Sequence, residues 1–308
     1  MSYLVTLCIP TNGVPEWCQP VFESIYQQGV DETLFQVVVT DNGNNQEFKE
    51  IAHQYQAEHK NFVYQETEAQ GFLNQIESFK LAEGKLVKFL NHRNCLEPGA
   101  LDYFINYAKH GDEDTVVFFS EGNLHKGTAI EDDNFDSFVK DLGLYTTWSG
   151  GLAFWHKDLE KIEKIKSFNS LYPHTDVLFM KRHAKKYVIV DQVLTKSLPT
   201  DDTKKGRYNL FHAFADEYIN ILKGLKSDGD ITEATYQSVY GELKQFVVEL
   251  YAQYVLLRMP CSYDLTNSKD YISRNFSVSE VNRRAKRWVR KYYIKKKIKK
   301  ILRRLDNQ

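Results

Sequence analysis

Two short apolar runs constrain this chain more than anything else in it. Leu4–Pro10 reads Leu-Val-Thr-Leu-Cys-Ile-Pro and stops at Thr11-Asn12-Gly13, and Leu34–Thr40 stops at Asp41-Asn42-Gly43-Asn44-Asn45. Between them Val21, Phe22 and Ile25 fall at helical spacing. Short apolar runs bounded by turn residues read as buried strands, and a helix between two of them makes a βαβ unit. In an open parallel sheet, ligands bind beyond the carboxyl ends of the strands. Thr11, Asn12, Asp41 and Asn42 occupy those ends, so a ligand site is marked before the second helix begins.

The alternation continues. Glu47–His59 has a helical pattern, Asn61–Tyr64 is a short strand, and Gly71–Ala82 is a helix with Phe72, Gln75, Ile76 and Phe79 in step. Lys85–Leu90 is a strand that runs into Asn91-His92-Arg93-Asn94. Pro98–Ala108 reads as a helix with proline near its first turn. Thr115–Ser120 is a strand rich in β-branched and aromatic residues, and the polar stretch 121–147 is expected to be irregular. Leu152–Trp155 and Tyr187–Val193 are strands, with helices at Asp158–Ile165 and Val177–Ala184 between them. From Tyr208 the pattern is all-helical, roughly 208–224, 232–258 and 279–305. The expected class is therefore α/β, a mainly parallel sheet flanked by helices, with an all-helical C-terminal extension. The domains are placed at 1–205 and 206–308, the change of pattern being marked by Pro199 and Asp201-Asp202.

A chain of 308 residues can bury a sizeable core. Its four cysteines, Cys8, Cys18, Cys95 and Cys261, form no CxxC pair. They read as free thiols in a reducing compartment rather than as a disulfide framework or a zinc site. No basic n-region precedes the first strand, and no apolar run approaches membrane-spanning length, which implies a cytoplasmic protein. The net charge of −1 hides an asymmetry: Arg283–Arg304 holds 13 Lys/Arg and no acid, whereas residues 1–282 hold 27 basic against 40 acidic side chains.

The order of motifs resembles the family 2 glycosyltransferases of the GT-A fold. Those motifs are Pro10-Thr11-Asn12, Val39-Thr40-Asp41-Asn42, Gly71-Phe72-Leu73-Asn74, Gly84–Leu90 and Glu97-Pro98-Gly99-Ala100-Leu101. The resemblance spans roughly residues 4–195 and is nearest to bacterial enzymes of surface-polysaccharide synthesis, the abequosyltransferase-like type among them. Gly206–Phe211 is also similar to a segment of those proteins. It implies a nucleotide-sugar donor, a UDP-sugar first, and inverting transfer to a hydroxyl of a glycan or lipid-linked acceptor. Asp41 would accept a hydrogen bond from the base, or else cap the Asp-Asn-Gly turn. Pro10, Thr11, Asn12 and Asn74 would lie beside the nucleotide. For Thr11 and Asn12 a capped turn, and for Asn74 a solvated helix position, are the competing readings.

The chain departs from the family at His92-Arg93-Asn94, where members usually carry metal-binding aspartates. Hard cations want carboxylate oxygen, and here Arg93 brings a positive charge instead. The expectation is that His92 and Arg93 take over the diphosphate, since guanidinium is a bidentate phosphate ligand that keeps its charge. No metal site and no required cofactor follow, although Mn²⁺ or Mg²⁺ held weakly by His92 and Asn94 stays an option, as does a degenerate loop in an inactive relative.

The resemblance makes Asp176 the general base that takes the acceptor proton; an N-cap role for Thr175 or Asp176 is the alternative. His174 would orient the acceptor or a phosphate. Trp148-Ser149-Gly150-Gly151 would form the loop under donor sugar and acceptor, or simply a tight turn with a core tryptophan. Glu121, at the end of its strand, is set aside.

Asn282–Asp306 lacks Pro and Gly and reads as helix. Ala285, Trp288, Val289 and Tyr292 form one apolar stripe, and Ile294, Ile298, Ile301 and Leu305 a second, out of phase with the first; a kink or a break near Tyr293 is expected. Such a tail suits the anionic inner face of a cell membrane. Packing on the acidic body or a second subunit is the alternative, and nucleic acid is disfavoured. The helices after residue 208 leave a homodimer open. A non-catalytic nucleotide- or glycan-binding scaffold of an assembly complex is the rival to the enzyme.

Overall fold

The computed structural model describes residues 3–199 and 201–305. The chain forms two compact units, Met1–Thr200 and Asp201–Gln308.

The first unit begins with the expected βαβ: β1 (Val5–Thr11), α1 (Pro15–Tyr26) and β2 (Phe35–Asp41). There follow α2 (Gln46–Glu58), β3 (Phe62–Glu66), α3 (Asn74–Lys80), β4 (Leu86–Phe89), β5 (Asn94–Leu96) and α4 (Ala100–His110). Next come β6 (Val116–Phe119), β7 (Ala129–Asp132), α5 (Phe135–Leu142), β8 (Ala153–Trp155), α6 (Leu159–Glu163), α7 (Pro173–Phe179), β9 (Tyr187–Val190) and β10 (Thr195–Ser197). The main sheet has order β3-β2-β1-β4-β8, parallel through β4 and antiparallel at β8. A bridge between Phe118 and Leu152 leads on to the three-stranded sheet β6-β9-β7. The carboxyl ends of β1, β2 and β4 thus lie on one edge, with Thr11 opposite Asp41 and Cys8 opposite Phe89.

The period of two along β1 sorts its side chains. Val5, Leu7 and Ile9 join Val21, Phe22 and Ile25 of α1 in the main core. Thr6 and Cys8 face the other side, where Thr6 bonds Gln36 and the Cys8 thiol donates to the Ser78 carbonyl of α3. Both faces are covered, which is why the strands read as continuous apolar runs.

Residues 121–147 are not irregular: β7 and α5 lie within them. α5 is capped by the Asn134 side chain, which accepts from Ser137 N–H, and it buries Phe135, Phe138, Val139 and Leu142. Helical spacing was present there, masked by exposed Asp and Lys on the other face.

The second unit is helical: α8 (Leu210–His212) runs through a π turn into α9 (Tyr218–Ser227), followed by α10 (Glu233–Leu250), α11 (Ser268–Ser273) and α12 (Val278–Leu305). α12 runs as one helix through Tyr293, so no break falls there. One continuous helix carries the first stripe on one side and Ile294 and Ile298 on another. Among the described residues no helix is long and apolar enough to cross a membrane. The four cysteines are free thiols.

Candidate active site

Asn74 ties the strand ends together. Its amide donates to the Thr11 carbonyl (3.1 Å) and the Thr40 carbonyl (2.8 Å), and its oxygen accepts from the Thr67 hydroxyl (2.8 Å). It is 3% exposed. With both N–H groups spent inside the protein, it builds the site's floor and has no donor left for a nucleotide, unlike the expectation from sequence. Asn94 is corrected likewise. It sits in the β5–β10 pair, donating to Thr195 Oγ1 and accepting from the Ser197 hydroxyl.

Asp41 is 1% exposed. Its Oδ1 accepts from Gly43 N–H (2.7 Å) and its Oδ2 from the Tyr64 hydroxyl (3.2 Å). Burial holds its carboxyl above the usual range, against those two hydrogen bonds. The turn it caps lies against the first turn, since a Cβ on Gly43 would meet the Asn12 carbonyl oxygen. Here only glycine allows the two backbones so close. Pro10 and Thr11 belong to β1, Pro10 half-buried, while Asn12 stands exposed at the rim.

Across from these turns, Thr11 Oγ1 lies 2.7 Å from His92 Nδ1. Gly13 N–H donates to the same hydroxyl oxygen, and Cys18 Sγ is 3.2 Å away. Burial pushes the Cys18 thiol up to about 12, so it stays S–H. If the Cys18 S–H is taken as a second donor to Thr11 Oγ1 beside Gly13 N–H, the hydroxyl's own hydrogen goes to His92 Nδ1, which leaves the ring hydrogen on Nε2. Burial, and secondarily the Arg93 charge, push His92 down to about 3, so it is neutral at physiological pH. Its ring meets Trp17 edge-on at 5.3 Å, and the Arg93 guanidinium lies over the same indole at 5.9 Å. The sequence reading gave His92 and Arg93 a shared role in place of the metal. The structure leaves the charge to Arg93 alone.

This turn carries no carboxylate, the ligand a hard divalent cation prefers. Asn91 Oδ1 accepts from Arg93 N–H, Asn94 is committed to its strand pair, and the remaining donor is one imidazole beside a guanidinium. Among the described residues no cluster of three His, Cys, Asp or Glu could hold a metal ion.

The other side of the site is built on Gly150 and Gly151. Lys88, fully buried in β4, donates to the carbonyls of Gly150 (2.5 Å) and Phe89 (2.8 Å). Burial, opposed by the charge of Glu121, brings Lys88 down to about 8. A Cβ on Gly151 would fall 2.1 Å from the Phe118 ring, and one on Gly150 2.4 Å from the Trp148 ring. Trp148 and Ser149 are half-buried on the loop leading in.

α7 is fastened to this loop: His174 Nε2–H donates to the Thr147 carbonyl (2.9 Å) and the Thr175 hydroxyl to the Thr146 carbonyl (3.1 Å). His174 is 6% exposed, its Nδ1 has no partner, and burial pushes it down to about 4. Asp176, half-buried in the first turn of α7, accepts from Asn169 N–H at 2.6 Å.

Sequence reasoning passed over Lys88 and set Glu121 aside. Glu121 has φ +55°, which non-glycine residues adopt at a cost of about 1 kcal/mol or more. Its Oε2 accepts from Leu194 and Thr195 N–H, while its Oε1 is buried without a partner. An acid at a strand's carboxyl end, and a lysine inside an apolar strand, were the available signals.

The sequence pattern of Glycosyl transferase family 2 matches residues 6–165, just over half of the chain. No curated protein matches it significantly. Among solved structures, S. aureus TarS (residues 1–349) in complex with UDP-GlcNAc is similar at TM-score 0.59 and 15% identity, over 87% of this chain and 78% of that one. TarS with UDP gives 0.55 and 16%, over 83% and 75%. The mannosyltransferase PcManGT from Pyrobaculum calidifontis, in complex with GDP-Man and Mn²⁺, gives 0.51 and 12%, over 92% and 86%. At such identities the likeness is one of fold, the GT-A fold. Together with the sequence match, it means that the chain belongs to glycosyl transferase family 2 and is a glycosyltransferase.

Proposed function

We propose that the enzyme transfers a sugar, with inversion, from a UDP-sugar to a hydroxyl of a glycan or lipid-linked acceptor, without a metal. The setting would be bacterial surface-polysaccharide synthesis of the abequosyltransferase-like type, at the inner face of the cell membrane. The observation that carries the metal-free reading is the 91–94 turn, where Arg93 lies over Trp17 and no carboxylate stands. Guanidinium would take the diphosphate in bidentate fashion, and the neutral His92 would add one N–H from Nε2. The base end falls to the two turns, Asp41 shaping one and Asn12 standing exposed at the other.

Asp176 would accept the proton of the attacking hydroxyl as the oxygen–anomeric carbon bond forms and UDP departs with the electron pair. Trp148, Ser149, Gly150, Gly151 and His174 would frame the acceptor. Support for this half is that α7 is bonded to residues 146–147, just before that loop. UDP is preferred because TarS was solved with UDP and UDP-GlcNAc; the GDP-Man of PcManGT defines the alternative.

Calorimetric titration with UDP, in EDTA and again with Mn²⁺, tests the reading. Binding unchanged by EDTA is expected. Binding that requires Mn²⁺ would refute the metal-free site, and GDP bound in preference to UDP would change the donor. No nucleotide binding at all would favour the scaffold.

A further inference from the structure

α12 carries two apolar stripes on different sides of one unbroken helix. Along the first, Val281 and Ala285 are fully buried, and the helix start is pinned by Lys244–Glu280 and by Arg284 donating to the Gln245 side chain. Trp288 and Tyr292 continue that stripe and stack on each other at 5.6 Å. The second stripe is Ile294 and Ile298, continued in sequence by Ile301 and Leu305. At 3.6 residues per turn, its mean direction is rotated about 140° from the first. A helix docked through the first stripe must turn the second away.

The exposures agree. Tyr293 is 56% exposed, Ile294 60% and Ile298 50%, and among the described residues the other large exposed hydrophobic is Val193. Lys295, Lys296 and Lys297 are exposed too, with Lys295 and Lys297 on either side of the stripe. The segment Arg283–Arg304 has 13 Lys/Arg and no acid.

We infer that the C-terminal half of α12 lies in the plane of an anionic phospholipid surface, with Ile294 and Ile298 sunk at the headgroup–acyl boundary. Lysine stems extend along apolar surface while the ammonium groups reach phosphate, which suits a stripe bordered by lysines. A protein partner would need roughly 800 Å² a side, more than Ile294 and Ile298 with Tyr293 supply. The excess positive charge of this segment would also be complemented by anionic headgroups. The inference extends the reading of an enzyme at the membrane, but binding can be measured without any transfer.

The test is sedimentation of the full chain with phosphatidylcholine vesicles, with and without phosphatidylglycerol. Binding only to vesicles with phosphatidylglycerol is expected, weakened at least about tenfold between about 0.1 M and about 1 M salt. The double variant Ile294→Glu/Ile298→Glu should lose at least about tenfold in vesicle affinity, with the melting temperature unchanged because both side chains are exposed. Lys295, Lys296 and Lys297 changed together to Gln should weaken binding in the same way. No binding at low salt, equal binding to neutral vesicles, or full binding by the Ile294→Glu/Ile298→Glu variant would each overturn the inference. A dimer that this variant dissociates would assign the stripe to a second copy. Preference for a double-stranded DNA oligonucleotide over vesicles would assign it to nucleic acid.

Discussion

Thr11 Oγ1 and His92 Nδ1 stand 2.7 Å apart although 81 residues separate them. This contact joins the end of β1 to the turn after β4 and fixes the orientation of the one imidazole on that turn. With Nδ1 accepting, Nε2–H becomes the donor His92 can offer a ligand. Because the ring is neutral, the permanent charge of the turn belongs to Arg93.

Arg93→Ala should therefore weaken UDP binding by about tenfold or more, as expected for losing charge-assisted hydrogen bonds of about 2 kcal/mol. Arg93→Lys should recover little, because an ammonium on a flexible stem does not reproduce the fork. Titration calorimetry reads both. Equal affinity in wild type and Arg93→Ala would remove Arg93 from the donor site.

Asn74→Ala should destabilise the first unit by about 2–3 kcal/mol, since three polar groups each lose a hydrogen bond, the Thr11 carbonyl keeping the one from Asn42 N–H and Thr67 being half-buried. The carbonyls of Thr11 and Thr40 and the Thr67 hydroxyl are those groups. Chemical denaturation measures it. A loss of nucleotide affinity with stability intact would restore Asn74 to the binding surface.

Gly151→Ala should also destabilise the first unit, because the new methyl would sit 2.1 Å from the Phe118 ring, and Phe118 is 1% exposed. Overpacking of a tight core costs about 1–3 kcal/mol. A melting temperature equal to wild type would mean that the loop relaxes freely and that the glycine is there for another reason.

The first two strands, their polar ends and the family order were legible because a buried parallel strand leaves a continuous apolar run. What was not legible depended on partners far along the chain. Asn74 on a helix reads as solvated, and only the fold brings it under two carbonyls from other strands. Asp41 was legible as a turn former, but its 1% exposure follows from Gly13 and Gly43 closing over it. Two out-of-phase stripes in α12 suggested a kink. A helix docked along one side needs none, and the sequence could not show which stripe docks.

Asp176→Asn separates chemistry from architecture. The amide oxygen can still accept from Asn169 N–H, so the loop before α7 should hold and the melting temperature should stay. Loss of a proton acceptor should cost about 10²- to 10⁴-fold in transfer, or in slow hydrolysis of the UDP-sugar. Full activity in the variant would exclude Asp176 as the base.

Two shielded histidines, His174 buried and His92 half-buried, make stability fall in acid. His92 and His174 have folded values of about 3 and about 4 against an ordinary 6.5. Below pH 6.5 the unfolded chain binds protons that the folded chain does not, so stability drops as pH falls, until the folded values are reached. Each site contributes up to about 1.4 kcal/mol per pH unit in that window. His174→Gln keeps a donor for the Thr147 carbonyl and removes one titration. Its melting temperature should therefore fall less than that of wild type between pH 7 and about pH 5. Parallel pH profiles would show that His174 is protonated in the folded protein, and that its unpartnered Nδ1 finds a proton acceptor after all.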